Sequence, residues 1–396
     1  MAARSVIVVG SGVFGMASAI ALSRRGHNVT LFERGSIADP LAASTDISKV
    51  VRIEYGDDDL YMRLGEQARE GWIHWNDLWR QQGLQPLYHE TGALMCSRSS
   101  MSPGHYEYDS FELLRARGHQ PGRMSGELVA KRFPAWSSTY FQDGFYNPIG
   151  GFVESGKAMH RMKQLASAAG VRIVDNTRVE DVRERSSRVR GVTIGGSLVE
   201  SDIVVLAAGA WNAMLWPTIN SSIRSTGHPV FHFKPDDAAL FRPEIFPTFL
   251  ADVSRTGYYG FPSNEDGIVK IGKHGKGVDT DPDGPREIMS EQYDLVREFL
   301  SDAMPSLANA ELVYSRLCLY ADSADSDFWI CEDPDCRGLF IAGAGSGHGY
   351  KFAPVIGDVI ADAVEKVDNE FLDRFRWRPD LQQERGNEAS RCHDIV

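Results

Sequence analysis

The sequence predicts an α/β protein: a discontinuous parallel sheet flanked by helices, interrupted by an inserted antiparallel β-rich region. Three apolar runs predict the sheet, namely Val6–Val9, Asp202–Gly209 and Leu339–Ala342. Each is followed by glycine or other small residues, which let the backbone pass close to a ligand or to another strand. Between the second and third runs, residues 225–300 read as short strand patterns separated by turn residues, and they predict the insertion.

The first strand opens a longer unit, Val6 to Arg34. Gly10-Ser11-Gly12-Val13-Phe14-Gly15 is a G-x-G-x-x-G. Met16 to Arg25 is rich in Ala, Leu and Ser and reads as a helix, and Asn28 to Phe32 reads as a second strand ending at Glu33. In this order Gly10 permits the tight turn, Gly12 lets a pyrophosphate approach the backbone, and Gly15 lets the helix pack close to the strand. The helix N-terminus offers free N–H groups to phosphates. Glu33 lies 18 residues beyond Gly15 and can accept hydrogen bonds from a ribose diol. Together these features predict a dinucleotide site.

Further along, Ser44-Thr45-Asp46-Ile47-Ser48-Lys49-Val50-Val51-Arg52 places two cations three residues apart, which predicts one side of a helical turn facing a bound anion or solvent. Tyr61 to Arg80 carries Leu64, Ala68, Trp72, Trp75 and Trp79 at about helical spacing, an aromatic stripe read as core. Thr91 to Ser97 reads as a strand, and residues 100–135 show helical patches without clear periodicity. A helix from about Ser155 to Ala169, a strand Val171–Val174 and a hairpin around Gly195-Gly196 follow. After Ala207-Ala208-Gly209, strands are expected at Pro229–Phe233, Thr248–Asp252, Gly257–Phe261, Gly267–Gly272 and Val313–Tyr320, with a helix over 286–303. Leu339–Ala342 runs into Gly343-Ala344-Gly345-Ser346-Gly347-His348-Gly349-Tyr350-Lys351, and a helix Pro354–Val367 closes the pattern.

The net charge of −12 argues against nucleic acid and against an anionic membrane surface, since both call for basic patches. No apolar run reaches the roughly 18–20 residues that span a bilayer. The chain enters its first strand almost at once, so no signal peptide is expected, and Cys392-His393-Asp394-Ile395-Val396 is not a peroxisomal signal. The expected location is the cytoplasm. The five cysteines, at 96, 318, 331, 336 and 392, are odd in number and scattered, which suits a reducing compartment rather than a disulfide framework. Cys331 and Cys336 are not in metal-ligand spacing with nearby histidines, and no metal site is expected.

Four separated pieces carry a resemblance: VIVVGSGVFG…FER, STDISKVVR, YYGFP…GIVKIGKHGKG, and RLCLYADSADSDFWI…GLFIAGAGSGHGYKFAPVIGD. From Val6 to about Val364 the chain resembles the FAD-dependent amine oxidases of the D-amino-acid-oxidase superfamily. It is most similar to the branch holding monomeric sarcosine oxidase, fructosyl amino acid oxidases and pipecolate or saccharopine oxidases. The resemblance implies a Rossmann-like FAD-binding domain from residues 1–85, 150–220 and 325–380. It implies a substrate domain from 86–149 and 221–324, with a loose tail at 381–396. It implies a covalent bond from Cys318 to the flavin 8α-methyl group, and a loop along the flavin made of Gly345, Ser346, Gly347, His348 and Gly349. Further FAD contacts fall to Val13, Phe14, Arg34, Ser44, Thr45, Lys49, Val179, Ala208, Gly209, Trp211 and Lys351. Lys270 would sit over the flavin and promote reaction with oxygen, with His274 four residues on. Arg52 and Lys351 would hold a substrate carboxylate, with Lys49 beside them and Tyr259 in the pocket. STDISK is closer to the fructosyl amino acid and pipecolate oxidases, whereas the chain length is closer to the sarcosine oxidases. The partners implied are a small amine and O2, acting on a monomer.

Amine oxidation moves a hydride from a C–N carbon to flavin N5, while the protein orients the substrate and sets the electrostatics. Several cations favour the neutral amine, and an ammonium such as Lys270 stabilises an anionic reduced flavin and a forming superoxide. The expected function is a flavoprotein oxidase of a secondary amine bearing a carboxylate: a fructosyl amino acid, an N-methyl amino acid or a pipecolate-like ring. Two readings stand beside it. One is a dehydrogenase that uses another electron acceptor. The other is a flavin-binding or tailoring protein that acts on a larger amine in biosynthesis.

Overall fold

Strand Ser5–Val9 is apolar on both faces because both faces are buried. Val6 and Val8 pack into one core, Ile7 and Val9 into another. In the computed structural model, which describes residues 2–253 and 255–379, this strand lies inside a six-stranded sheet. The order is Trp329–Glu332, Leu339–Gly343, Ile203–Leu206, Ser5–Val9, Asn28–Phe32, Arg172–Val174. All neighbours are parallel except the edge pair of Trp329–Glu332 with Leu339–Gly343. The three apolar runs predicted to share a parallel sheet are adjacent in it. The tail expected at 381–396 lies outside the described residues.

Helix Val13–Arg24 begins at Gly12 and packs against Ala353–Glu365. The two backbones approach so closely that a Cβ on Gly357 would lie 2.3 Å from the Ala17 carbonyl oxygen. Gly357→Ala is therefore expected to destabilise by about 1–3 kcal/mol through overpacking. The thermal midpoint checks this against Gly275→Ala, where an added Cβ meets nothing within 4 Å. Equal midpoints for the two variants would remove the claim. Helix Asp59–Gln81 starts where the Asp58 carboxylate accepts the Tyr61 N–H at 3.1 Å. It buries Trp72 and Trp79, as the aromatic stripe predicts.

The second sheet has nine strands. Ile223–Lys234 and Glu311–Ser323 pair antiparallel along nearly their whole lengths. Ile223–Lys234 also pairs with Val278–Asp279 and with Val269–Lys273, from which the sheet continues through Tyr258–Gly260, Thr248–Ala251, Ala93–Ser97 and Asp143–Asn147 to Gly122–Arg123. Its core is aromatic, with Phe231, Phe233, Phe241, Phe246 and Phe249 fully buried. One pair departs from the antiparallel insertion expected: Thr248–Ala251 runs parallel to Ala93–Ser97. These segments come from distant parts of the chain, so no hairpin dictates their direction.

A ribbon of Lys49–Val51, Gly151–Val153 and Tyr88–His89 forms a separate three-stranded sheet. It corrects the helical turn expected around Lys49 and Arg52. Val50 and Val51 are β-branched, and a partner strand from a hundred residues away completes their ladder. Within 100–135 two helices form, Tyr106–Ala116 and Gly126–Arg132. Among the described residues, no helix is long and apolar enough to cross a membrane.

Candidate active site

A cavity of 370 Å³ opens where Ser5–Val9 and Ile203–Leu206 end. Its walls include Gly10, Gly12, Val13, Phe14, Glu33, Arg34, Ser44, Lys49, Val179, Ala208, Gly209 and Trp211, together with Gly345, Ser346, Gly347 and Gly349. Gly10 adopts φ +98°, and a Cβ there would fall 2.7 Å from the Ala207 carbonyl oxygen. Gly15 does not line the cavity. A Cβ on it would fall 1.9 Å from the Gly10 carbonyl oxygen, so it sets the helix tight against the turn. The Glu33 carboxylate is aimed by the Ser11 N–H (2.8 Å), the Ser11 hydroxyl (2.7 Å) and the Gly35 N–H (3.1 Å).

A clasp ties Arg34 and Trp211 of this cavity's wall to Asp283. Asp283 accepts from Arg34 Nη1 at 2.6 Å and from Trp211 Nε1 at 2.7 Å. The Arg34 guanidinium lies 4.1 Å over the Trp211 ring, and Arg286 Nη1 donates to the Leu41 carbonyl at 2.6 Å. The sequence pointed to Arg34 and Trp211. It gave no sign that the 279–285 loop would reach them.

A smaller cavity of 50 Å³ shares Lys49, Tyr320, Gly347 and Tyr350 with the first. Arg52, Tyr259, His274, His348 and Lys351 also line it. Arg52 is buried; its Nη1 donates to Tyr106 Oη at 2.6 Å, and its guanidinium lies 4.8 Å from the Tyr55 ring centroid. Tyr106 Oη in turn donates a hydrogen bond to the Glu54 backbone carbonyl at 2.8 Å. Burial raises the Glu54 carboxyl above its usual range, although Asn147 Nδ2 donates to it at 2.6 Å and Arg52 stands nearby. Lys351 Nζ donates to Tyr55 Oη (2.6 Å) and to the His348 carbonyl (2.9 Å). Tyr55 then donates to His348 Nδ1 (3.1 Å), and His348 Nε2 donates to the Ser326 carbonyl (3.0 Å). This network sets the tautomer of His348.

Lys270, Thr45 and Cys318 line neither cavity. Lys270 lies fully buried, donating to the Ser48 carbonyl at 2.5 Å and pairing with Asp46 at 2.9 Å. Asp46 also meets Arg316 Nη2 and His232 Nε2, each at 3.0 Å. Burial pushes the Lys270 ammonium down to about 7, with Asp46 opposing that fall. Burial alone would raise Asp46, yet Lys270, His232 and Arg316 hold it well below the carboxylate range. Cys318 is buried one position before Leu319, Tyr320 and Ala321, which do form cavity wall. Asp46, Tyr55 and Tyr106 were not singled out from sequence. The lone acid in Ser44–Arg52 was the available signal for the first of them.

A dinucleotide fits the larger cavity. Gly12 and the start of Val13–Arg24 offer a backbone cradle to a pyrophosphate, and Glu33 is held ready for a ribose.

Comparison with known proteins agrees. The model of the DAO family, FAD dependent oxidoreductase, matches residues 5–363. Monomeric sarcosine oxidase of Bacillus sp. (strain B-0618) is 28% identical over 361 residues, covering 90% of this chain and 90% of that protein. L-saccharopine oxidase of Schizosaccharomyces pombe (strain 972 / ATCC 24843) is 28% identical over 423 residues, covering 95% and 94%. The solved structure of fructosamine oxidase (amadoriase II) from Aspergillus fumigatus in complex with FSA shares the fold. Its TM-score is 0.84 at 24% identity, over 98% of this chain and 93% of that one. The family match runs from the first strand into helix Ala353–Glu365 and takes in both cavities, so the chain belongs to the DAO family and is an FAD-dependent oxidoreductase acting on CH–NH amine donors.

Proposed function

We propose that the chain is an oxidase of a small secondary amine bearing a carboxylate. FAD, when bound, would accept the hydride from the C–N carbon, and O2 would take up the electrons as H2O2. The smaller cavity carries this reading. It brings Arg52, Lys351 and Lys49 to a space sharing a wall with the cofactor cavity, and among the described residues none of its lining is acidic. Such a site holds a carboxylate and favours the neutral form of an amine beside it. FAD supplies the hydride acceptor. The chain's own part is to fix the substrate by its carboxylate, keep the reacting carbon against the shared wall, and exclude water. Leu250, Val253 and Phe261 form an apolar remainder, which with a volume of 50 Å³ favours a small N-alkyl group over a sugar or a second charged arm.

Lys270 would supply positive charge for the oxygen step, and Cys318 would tether the cofactor. The division into a cofactor domain (1–85, 150–220, 325–380) and a substrate domain (86–149, 221–324), in a monomer, belongs to the same reading. Relatives named as oxidases support O2 over another acceptor.

Anaerobic flavin reduction against a panel tests the substrate. Sarcosine or another N-methyl amino acid is expected to bleach the visible flavin band fastest, ahead of pipecolate, saccharopine, fructosyl-valine and fructosyl-lysine. A fructosyl amino acid or saccharopine in first place would overturn the small-substrate reading. Silence across the panel would overturn the small-substrate reading in favour of a larger amine.

A further inference from the structure

We propose that His228, held by Thr226 and Asp322, takes the thiol proton of Cys318 and so promotes attachment of FAD to this chain; the inference rests on the reading that Cys318 forms the flavin linkage. Strand Ile223–Lys234 runs antiparallel to Glu311–Ser323, with His228 directly opposite Cys318. Residues so placed project from the same face, with Cβ atoms about 4.5–5.5 Å apart. The packing agrees. The His228 ring stacks on Tyr320, two residues beyond Cys318, at 3.8 Å and 17°, and Cys318 packs with Val230 and Tyr320.

Hydrogen bonding sets the basic nitrogen. Thr226 donates its one hydroxyl proton to Asp322 Oδ2 at 2.6 Å. Toward His228 Nε2, 3.0 Å away, it therefore accepts. Nε2 carries the hydrogen, and Nδ1 is left as the base. Asp322 Oδ2 stands 4.0 Å from Nε2, where it stabilises the imidazolium that forms. Thr226, His228, Cys318 and Asp322 are each at most 2% exposed, and amine oxidation as proposed above uses none of them.

Two guanidinium groups stand near Cys318. Arg316 lies on the same strand two residues before Cys318, and Cys318 interacts electrostatically with Arg316, Arg286 and Tyr259. The other groups facing the pair are Tyr320, Asp322 and His274, whose ring centre is 6.5 Å from that of His228. The step balances as follows. The Sγ–C8α bond forms, the thiol proton goes to His228, and one methyl C–H proton goes to solvent. Two electrons stay on the ring until O2 removes them as H2O2.

The test follows attachment itself. Full-length chain from flavin-poor cells is mixed with FAD in air at a series of pH values, and flavin remaining with acid-precipitated protein is measured against time. Wild type is expected to attach FAD with a rate that bends in the imidazole range, near pH ~6.5, rather than in the thiol range near ~8.5. His228→Asn is expected to slow attachment at neutral pH by at least about 100-fold, with recovery at high pH and with FAD still bound, as read by fluorescence quenching. His228→Gln serves if the Asn variant does not fold. Wild-type attachment that bends only in the thiol range, or a His228 variant with the wild-type rate and profile, would overturn the proposal. Cys318→Ser separates the two layers. Wild type without acid-stable flavin removes the linkage reading, whereas wild type and His228→Asn attaching alike, with Cys318→Ser empty, removes only the role of His228.

Discussion

Lys270→Met is expected to slow reoxidation of the reduced enzyme by O2 by roughly 100-fold or more, the loss that follows removal of one preorganised charge-stabilising group. Anaerobic reduction by the amine should change far less. Lys270 is the fully buried ammonium of the Asp46 cluster, and Met keeps its length without its charge. The pH dependence has a definite sign. With Lys270 pushed down to about 7 by burial, the ammonium is present below that pH and lost above it, so the wild-type oxygen rate should fall as pH rises through about 7. That limb should be absent in Lys270→Met. In Asp46→Asn, which removes the partner opposing the fall, it should move to lower pH. The stability term runs the other way. Between about 7 and the ordinary lysine value of 10.5 the unfolded chain holds a proton that the folded chain has released, so stability rises with pH across that window. Stopped-flow mixing of reduced enzyme with oxygenated buffer decides the matter, and equal reoxidation rates in wild type and Lys270→Met would end the assignment.

Arg52→Ala is expected to lower kcat/KM for the amine by roughly 100-fold or more, since truncating one partner of a buried charge pair costs about 2–5 kcal/mol. Arg52→Lys should recover only part of this. The guanidinium donates to Tyr106 while lying over Tyr55, and a lysine supplies the charge without the planar fork. Comparing a substrate with its methyl ester isolates the cause. Wild type should discriminate strongly against the ester, and Arg52→Ala weakly. Equal loss on acid and ester would show that Arg52 does not read the carboxylate.

Much of this was legible because it is local. The glycine turn at Gly10–Gly15, the small residues after Ile203–Leu206 and the loop Gly343–Lys351 each announce a backbone that must pass close to something. All three meet at the larger cavity. What was hidden depends on partners far along the chain. Asp46 stands 186 residues from His232 and 270 from Arg316, so no window of sequence shows that one carboxylate gathers Lys270, Arg316 and the His232 ring. The Lys49–Arg52 segment was misread for the same reason, its strand being defined by Gly151–Val153. Tyr106 begins a helix of 11 residues, too short for its apolar periodicity to stand out, and its bond to Arg52 is visible only in the fold.

The strand order of the six-stranded sheet also bears on how the protein is made. Ile203–Leu206 lies between Ser5–Val9 and Leu339–Gly343. On the ribosome its outer edge stays bare until the C-terminal strand emerges. An unpaired apolar edge is a template for the wrong partner, and parallel pairing across such sequence separations forms slowly. Recovery of active enzyme from a producing cell therefore depends on how long that edge stays bare, and chaperones that shield it until Leu339–Gly343 arrives favour the correct closure.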